Sequence, residues 1–126
     1  MNFPADLKYT KDHEWLKVDG DTGTIGITDY AQGELGDVVF VELPAIGKAV
    51  KAHDSFGTIE AVKAVSDLYA PVSGSILEVN KELEKSPETV NKDPYGAGWM
   101  VKIKLSNASE LSELLDASAY KALIGQ

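Results

Sequence analysis

Between residues 99 and 105 the chain alternates, with Trp99, Val101, Ile103 and Leu105 on one side and Lys102 and Lys104 on the other. A period of two sets an apolar row against a core and leaves the ammonium groups in water, so this stretch is a half-buried β-strand. Most of the chain before it is cut into similar lengths. Residues 38–43, β-branched and aromatic, form a strand that Pro44 stops. Residues 7–18 read as strand with polar interruptions, and 24–27, 47–51 and 75–79 as further short strands. Asp19-Gly20-Asp21 marks a turn. Thr28 or Asp29 caps a short helix near 29–35, and Gly36 ends it. Residues 80–98, polar and carrying Pro87 and Pro94, read as loop with one helical turn. After residue 106 the period changes. Leu111, Leu114, Leu115, Ala119, Ala122 and Leu123 fall near helical spacing, Asn107 and Glu110 sit like a capping box, and Asp116-Ala117-Ser118 splits the tail into two helices. The expectation is a mainly β fold with a helical C-terminus. A short echo, Gly23-Thr24-Ile25 and Gly57-Thr58-Ile59, is compatible with two halves of similar design.

At 126 residues the chain suits a single domain spanning 1–126. Its charge excludes several functions. Twenty acidic residues face twelve lysines, there is no arginine, and the net charge is −8. Arginine is the preferred bidentate reader of phosphate and guanine, so such a chain is expected to bind neither nucleic acid nor anionic membranes. No apolar run reaches membrane-spanning length. The first residues show neither a secretory nor an organelle leader, which predicts a bacterial cytoplasmic protein, or a mitochondrial matrix protein in processed eukaryotic form. With no cysteine and only His13 and His53, thiolate metal sites, disulfides and His-dependent triads lack material.

Three features carry ionisable groups in suggestive places. Glu14, within His13-Glu14-Trp15, reads on its own as a solvated strand end. Asp19-Gly20-Asp21 opens like a calcium loop but lacks the later ligands, and reads as a surface turn. The segment from Ile59 to Asp67 is ambiguous. Glu, Ala and Lys favour helix, while the β-branched residues favour a hairpin that has no Gly or Asn to mark its turn. Lys63 within it is one amine among twelve.

That segment, Glu60-Ala61-Val62-Lys63-Ala64-Val65-Ser66-Asp67 followed by Ala70-Pro71-Val72-Ser73-Gly74, resembles the lipoylation site of glycine cleavage system H proteins. The likeness extends to His13-Glu14-Trp15, Gly26-Ile27-Thr28-Asp29-Tyr30-Ala31-Gln32, Leu35-Gly36-Asp37-Val38-Val39-Phe40-Val41-Glu42-Leu43-Pro44 and Asp93-Pro94-Tyr95-Gly96-Ala97-Gly98-Trp99-Met100, in the family's order. The resemblance implies a lipoyl-domain-like barrel-sandwich hybrid of two antiparallel sheets with Lys63 at a hairpin tip. It implies lipoate joined to Lys63 through an amide, and a monomeric carrier that has no turnover of its own. A tethered arm keeps one reactive disulfide available to successive active sites. The implied partners are a pyridoxal-phosphate glycine decarboxylase, a tetrahydrofolate-dependent aminomethyltransferase, dihydrolipoamide dehydrogenase, and a lipoate ligase or a lipoyl or octanoyl transferase. The aminomethyl cargo is cationic and decomposes in water, and Glu14 and Asp67 match family positions that hold the loaded arm in a cleft. Position 34 is Glu here and His in some members, so the cleft lining differs in detail.

Three other readings compete. A biotin carrier also shows a lysine on a hairpin, but its flanking methionines are replaced by Val62 and Ala64, and Met1 and Met100 lie elsewhere. An H-like protein relaying lipoyl groups to other enzymes would look the same at Lys63. An unmodified β-sandwich interaction module would use the acidic surface alone.

Overall fold

The computed structural model describes residues 2–126; Met1, where the start segment begins, lies outside them. Among the described residues nine strands form two antiparallel sheets. The larger has the order β1 (Lys8–Tyr9), β2 (Glu14–Asp19), β3 (Thr22–Ile27), β9 (Val101–Leu105), β8 (Gly74–Val79), β5 (Ala49–Val50). The smaller has the order β4 (Val38–Glu42), β6 (Ser55–Ala61), β7 (Val65–Tyr69). The core lies between them. Leu16, Ile25, Ile76, Val101 and Ile103 from the larger sheet meet Val41, Phe56, Ile59 and Leu68 from the smaller. This is the two-layer solution for sheets with one apolar face each. The expected alternation holds over 101–105, where Val101 and Ile103 are fully buried and Lys104 is exposed; before the strand it breaks, with Met100 fully buried and Trp99 half-buried against the second cluster. Among the described residues no helix is long and apolar enough to cross a membrane.

Several local expectations hold in detail. Helix α1 covers Asp29–Leu35, the Thr28 side chain accepts from the Ala31 N–H, and Gly36 closes it with φ +79. Gly20, with φ +65, takes the first central position of the two-residue turn joining β2 and β3.

Others are corrected. Residues 7–18 are a hairpin, because Thr10 folds the chain back on itself. Its hydroxyl accepts from Asp12 N–H and its carbonyl from His13 N–H, and β1 then pairs with β2 in the register Tyr9↔Trp15. Residues 80–98 hold two short helices, α2 (Glu82–Lys85) and α3 (Thr89–Lys92), anchored by the wholly buried Leu83 and Val90. Asn107 does not form a capping box with Glu110. The Glu110 carboxylate is taken by the Ser73 N–H and hydroxyl at 2.7 and 2.8 Å, and a 3-10 helix spans Ala108–Glu113. The tail's apolar face is also rotated from the expected one. Asp116 starts α4 (Ala117–Leu123) afresh, so Ala117 and Tyr120 are buried while Ala119, Ala122 and Leu123 are exposed.

Strands β8 and β9 approach closely at Gly74. A Cβ there would collide with the Lys104 carbonyl oxygen and stand 2.8 Å from Ile103 Cγ1. Gly74→Ala is therefore expected to cost about 3 kcal/mol, as overpacking against backbone does. Urea unfolding checks this, and an unchanged midpoint would mean that the two strands part without penalty.

Candidate functional site

Strands β6 and β7 pair as far as Glu60↔Val65, and the Ala61 N–H donates to the Ala64 carbonyl at 2.7 Å. Val62 and Lys63 are thus the two turn residues. Neither has positive φ, which is why a Gly or Asn marker is missing from this hairpin. The Val62 N–H donates to the Asp37 carbonyl at 3.0 Å, tying the tip to the segment between α1 and β4. Lys63 is exposed, and its side chain runs over Gly36, where an ideal Cβ would lie 3.3 Å from Lys63 Cε. Sequence reasoning assigned Gly36 only to ending a helix; it also gives the lysine a flat place to rest.

Residues of β7, α1 and the start of β2 enclose a cleft of about 320 Å³. Glu14 and Asp67 both line it, together with Glu34, and Ile27, Ile59 and Leu68 supply apolar wall. Structure brings these distant residues together because β2 and β7 lie in different sheets that close against each other at this edge. An apolar wall ending in carboxylates suits a hydrocarbon arm with a cationic end, and Lys63 stands on the strand pair that leads into the cleft.

Glu14 is not a solvated strand end. It is 2% exposed, its Oε1 accepts from the Thr10 hydroxyl at 2.8 Å, and the Tyr69 N–H lies 3.4 Å from Oε2. Burial pushes its carboxyl up to about 8, against the smaller opposing pull of those two donors. Asp67 is exposed at the rim. The two carboxylates therefore differ in kind: one is kept dry and one is in water.

His13 completes the wall beside Glu14. Its φ is +70, a left-handed conformation uncommon outside glycine, and its Nδ1 sits 2.9 Å from the Tyr120 hydroxyl. That hydroxyl is also 2.8 Å from Thr28 Oγ1, the cap of α1. Burial lowers the His13 pKa, opposed by Asp12 and Glu34, and raises that of Tyr120 to about 12. The C-terminal helix is thereby hydrogen-bonded to the cleft. Trp15, next in the chain, donates its indole N–H to the Pro94 carbonyl at 3.0 Å. Sequence reasoning missed Thr10, His13 and Tyr120 as supports of the site. Only the turn-forming Thr10 near Glu14 carried a local signal.

The family model described as Glycine cleavage H-protein matches residues 7–126. A glycine cleavage system H protein of Staphylococcus carnosus is 60% identical over 126 residues, covering 100% of both chains. One from Chlorobium luteolum is 62% identical over 127 residues, covering 99% of each. The crystal structure of a glycine cleavage system H protein from Mycobacterium marinum superposes with a TM-score of 0.91 at 44% identity, covering 98% of this chain and 100% of that one. Matched by the family model over residues 7–126 and by full-length relatives at about 60% identity, the chain belongs to the glycine cleavage H-protein family.

Proposed function

We propose that this protein is the lipoyl-carrying shuttle of a glycine cleavage system, with lipoate attached to Lys63 Nζ. The observation that carries the reading is an exposed lysine on a two-residue turn whose own strands, β6 and β7, supply Ile59, Ser66, Asp67 and Leu68 to a cleft with apolar wall and carboxylates. Lipoate held on Lys63 would supply a dithiolane, the redox-active, group-accepting chemistry that the decarboxylase, the aminomethyltransferase and dihydrolipoamide dehydrogenase would share. The protein itself contributes positioning and protection. A bacterial cytoplasmic location and a monomeric state accord with the acidic surface and with bacterial relatives.

Glu14 and Asp67 divide the work of holding the cargo's ammonium. Asp67, in water, meets the cation at the rim. Glu14 stays protonated across neutral pH in the resting cleft, because its burial favours the neutral acid. An ammonium beside it favours the carboxylate instead, so seating the cargo exchanges a proton for a charge-assisted hydrogen bond. Thr10 and the Tyr69 N–H keep the carboxyl oriented throughout.

Expression with lipoate and a lipoate ligase tests the attachment. Intact mass should rise by one lipoyl group in the wild type and stay unmodified in Lys63→Arg, whereas an unmodified wild type would favour a plain interaction module. For the cleft, Glu14→Gln with Asp67→Asn should shorten the aqueous lifetime of the bound aminomethyl group by about tenfold, the scale of one charge-assisted hydrogen bond. An unchanged lifetime removes both residues from this role.

A further inference from the structure

The outer face of the smaller sheet has a composition that the core does not require. Cross-strand pairing sets Phe40, Glu60 and Val65 in one row and Glu42, Thr58 and Asp67 in the next. Phe40 is 49% exposed, Val65 65%, and Val62 at the hairpin tip 76%. Beside Phe40, Val39 is also exposed, for an unusual reason. Val38 pairs with Ala61 and Phe40 with Glu60, so a bulge inserts Val39 as an extra residue. Regular alternation would turn one of two successive side chains inward, and the bulge leaves both outside. Val38 and Val41 on either side are buried, so the strand's inner face loses nothing by it. Apolar side chains gathered next to a reactive lysine, where a polar surface would fold as well, mark a contact surface.

Charge narrows the partner. Strands β4, β6 and β7 contain Glu42, Glu60 and Asp67 and no lysine. Lys63 stands at the turn that joins two of these strands, and acylation removes its charge. A complementary surface is therefore apolar and rimmed by Lys or Arg. Reach narrows it further. Enzymes that use the finished arm meet its distal sulfurs and can dock at a distance from the hairpin. The enzyme that builds the arm must bring its active site to the bare Lys63 nitrogen, and its surface against the residues around it. There the C–N bond forms, the bond from the acyl carbon to its phosphate leaving group breaks, and two protons of the ammonium pass to solvent.

We propose that Val39, Phe40, Val62 and Val65, with Glu42 and Glu60 set among them, are the docking surface for the lipoyl-attaching enzyme, which meets them with an apolar seat edged by basic side chains. The proposal rests on Lys63 being the lipoylated residue. It is tested with the full-length apo protein, lipoate, ATP and a lipoate ligase, following acylation by intact mass. Phe40→Ser with Val65→Ser should raise KM and lower kcat/KM at least tenfold with kcat little changed, since central apolar anchors dominate most interfaces. Ile46→Ser, equally apolar and exposed but outside the sheet, in the connection between β4 and β5, should react like the wild type. Raising salt from about 25 to about 250 mM should slow the wild type, and Glu42→Gln with Glu60→Gln should flatten that dependence. Melting curves check that each variant is folded. Wild-type kinetics in the Phe40/Val65 variant overturn the docking surface while leaving the carrier reading intact. So does a loss confined to kcat, or an effect confined to the enzymes that use the finished arm. Failure of the wild type to be acylated overturns the carrier reading itself, and the docking proposal with it.

Discussion

Lys63→Arg should abolish glycine-dependent turnover when the protein is reconstituted with the decarboxylase, the aminomethyltransferase and dihydrolipoamide dehydrogenase. Arginine keeps the length and charge of the side chain, and Lys63 is exposed on a turn held by backbone bonds from Ala61 and Val62, so the scaffold survives the change. The guanidinium does not give up its proton and cannot become the amine that an acyl donor requires. Without a covalent tether the local concentration of dithiolane falls from roughly millimolar to whatever is free in solution, and the relay between enzymes is lost. A drop of at least about 10³-fold is expected on that effective-concentration argument. Equal turnover by both proteins would end the carrier function.

The second large effect is a dependence of stability on pH that Glu14 creates. In the fold its carboxyl stands at about 8, against an ordinary value of 4.5. Between those values the folded protein holds a proton that the unfolded chain has released, so stability decreases as pH rises through that window and levels off above it. Each unit of difference is roughly 1.4 kcal/mol, which places the effect on the order of 5 kcal/mol. Glu14→Gln keeps the shape, and the Thr10 hydroxyl can turn to suit an amide. The variant should therefore melt well above the wild type at pH 9 and close to it at pH 4.5, a separation of about 10 °C or more for a chain of this size. Parallel melting curves across the range would mean that Glu14 ionises freely and the cleft is wet. The same property serves the proposed function, because a carboxyl held neutral at rest gains most from a cation that displaces its proton.

The supports of Glu14 explain why a single residue can be kept in this state. Thr10 turns the chain so that Glu14 faces inward, and His13 completes that turn in a left-handed conformation. Tyr120 fixes His13 from the C-terminal helix. Each is distant from Lys63 in the chain and none carries a charge that a sequence reading would single out. Tyr120 in particular carries no sequence signal as a site residue, because the apolar stripe at 119, 122 and 123 predicts a different helix face. The cap at Asp116 sets the observed one.

Local patterns determined a good deal unaided. The alternation at 99–105, the β-branched run at 38–43 and the capped turn at 29–35 each predict their element, since strand and cap preferences act over a few residues. The absence of arginine and cysteine ruled out whole classes of chemistry. Motif resemblance then singled out Lys63 from eleven other lysines, which composition could not do. What the tertiary structure alone decided is the environment of each group. Glu14 became a buried, neutral acid because two sheets close over it, and Val39 and Phe40 became a shared outward surface because a bulge slips the pairing of β4 with β6. Desolvation and strand register arise from residues far apart in the chain, and neither is written in the neighbours of the residue it changes.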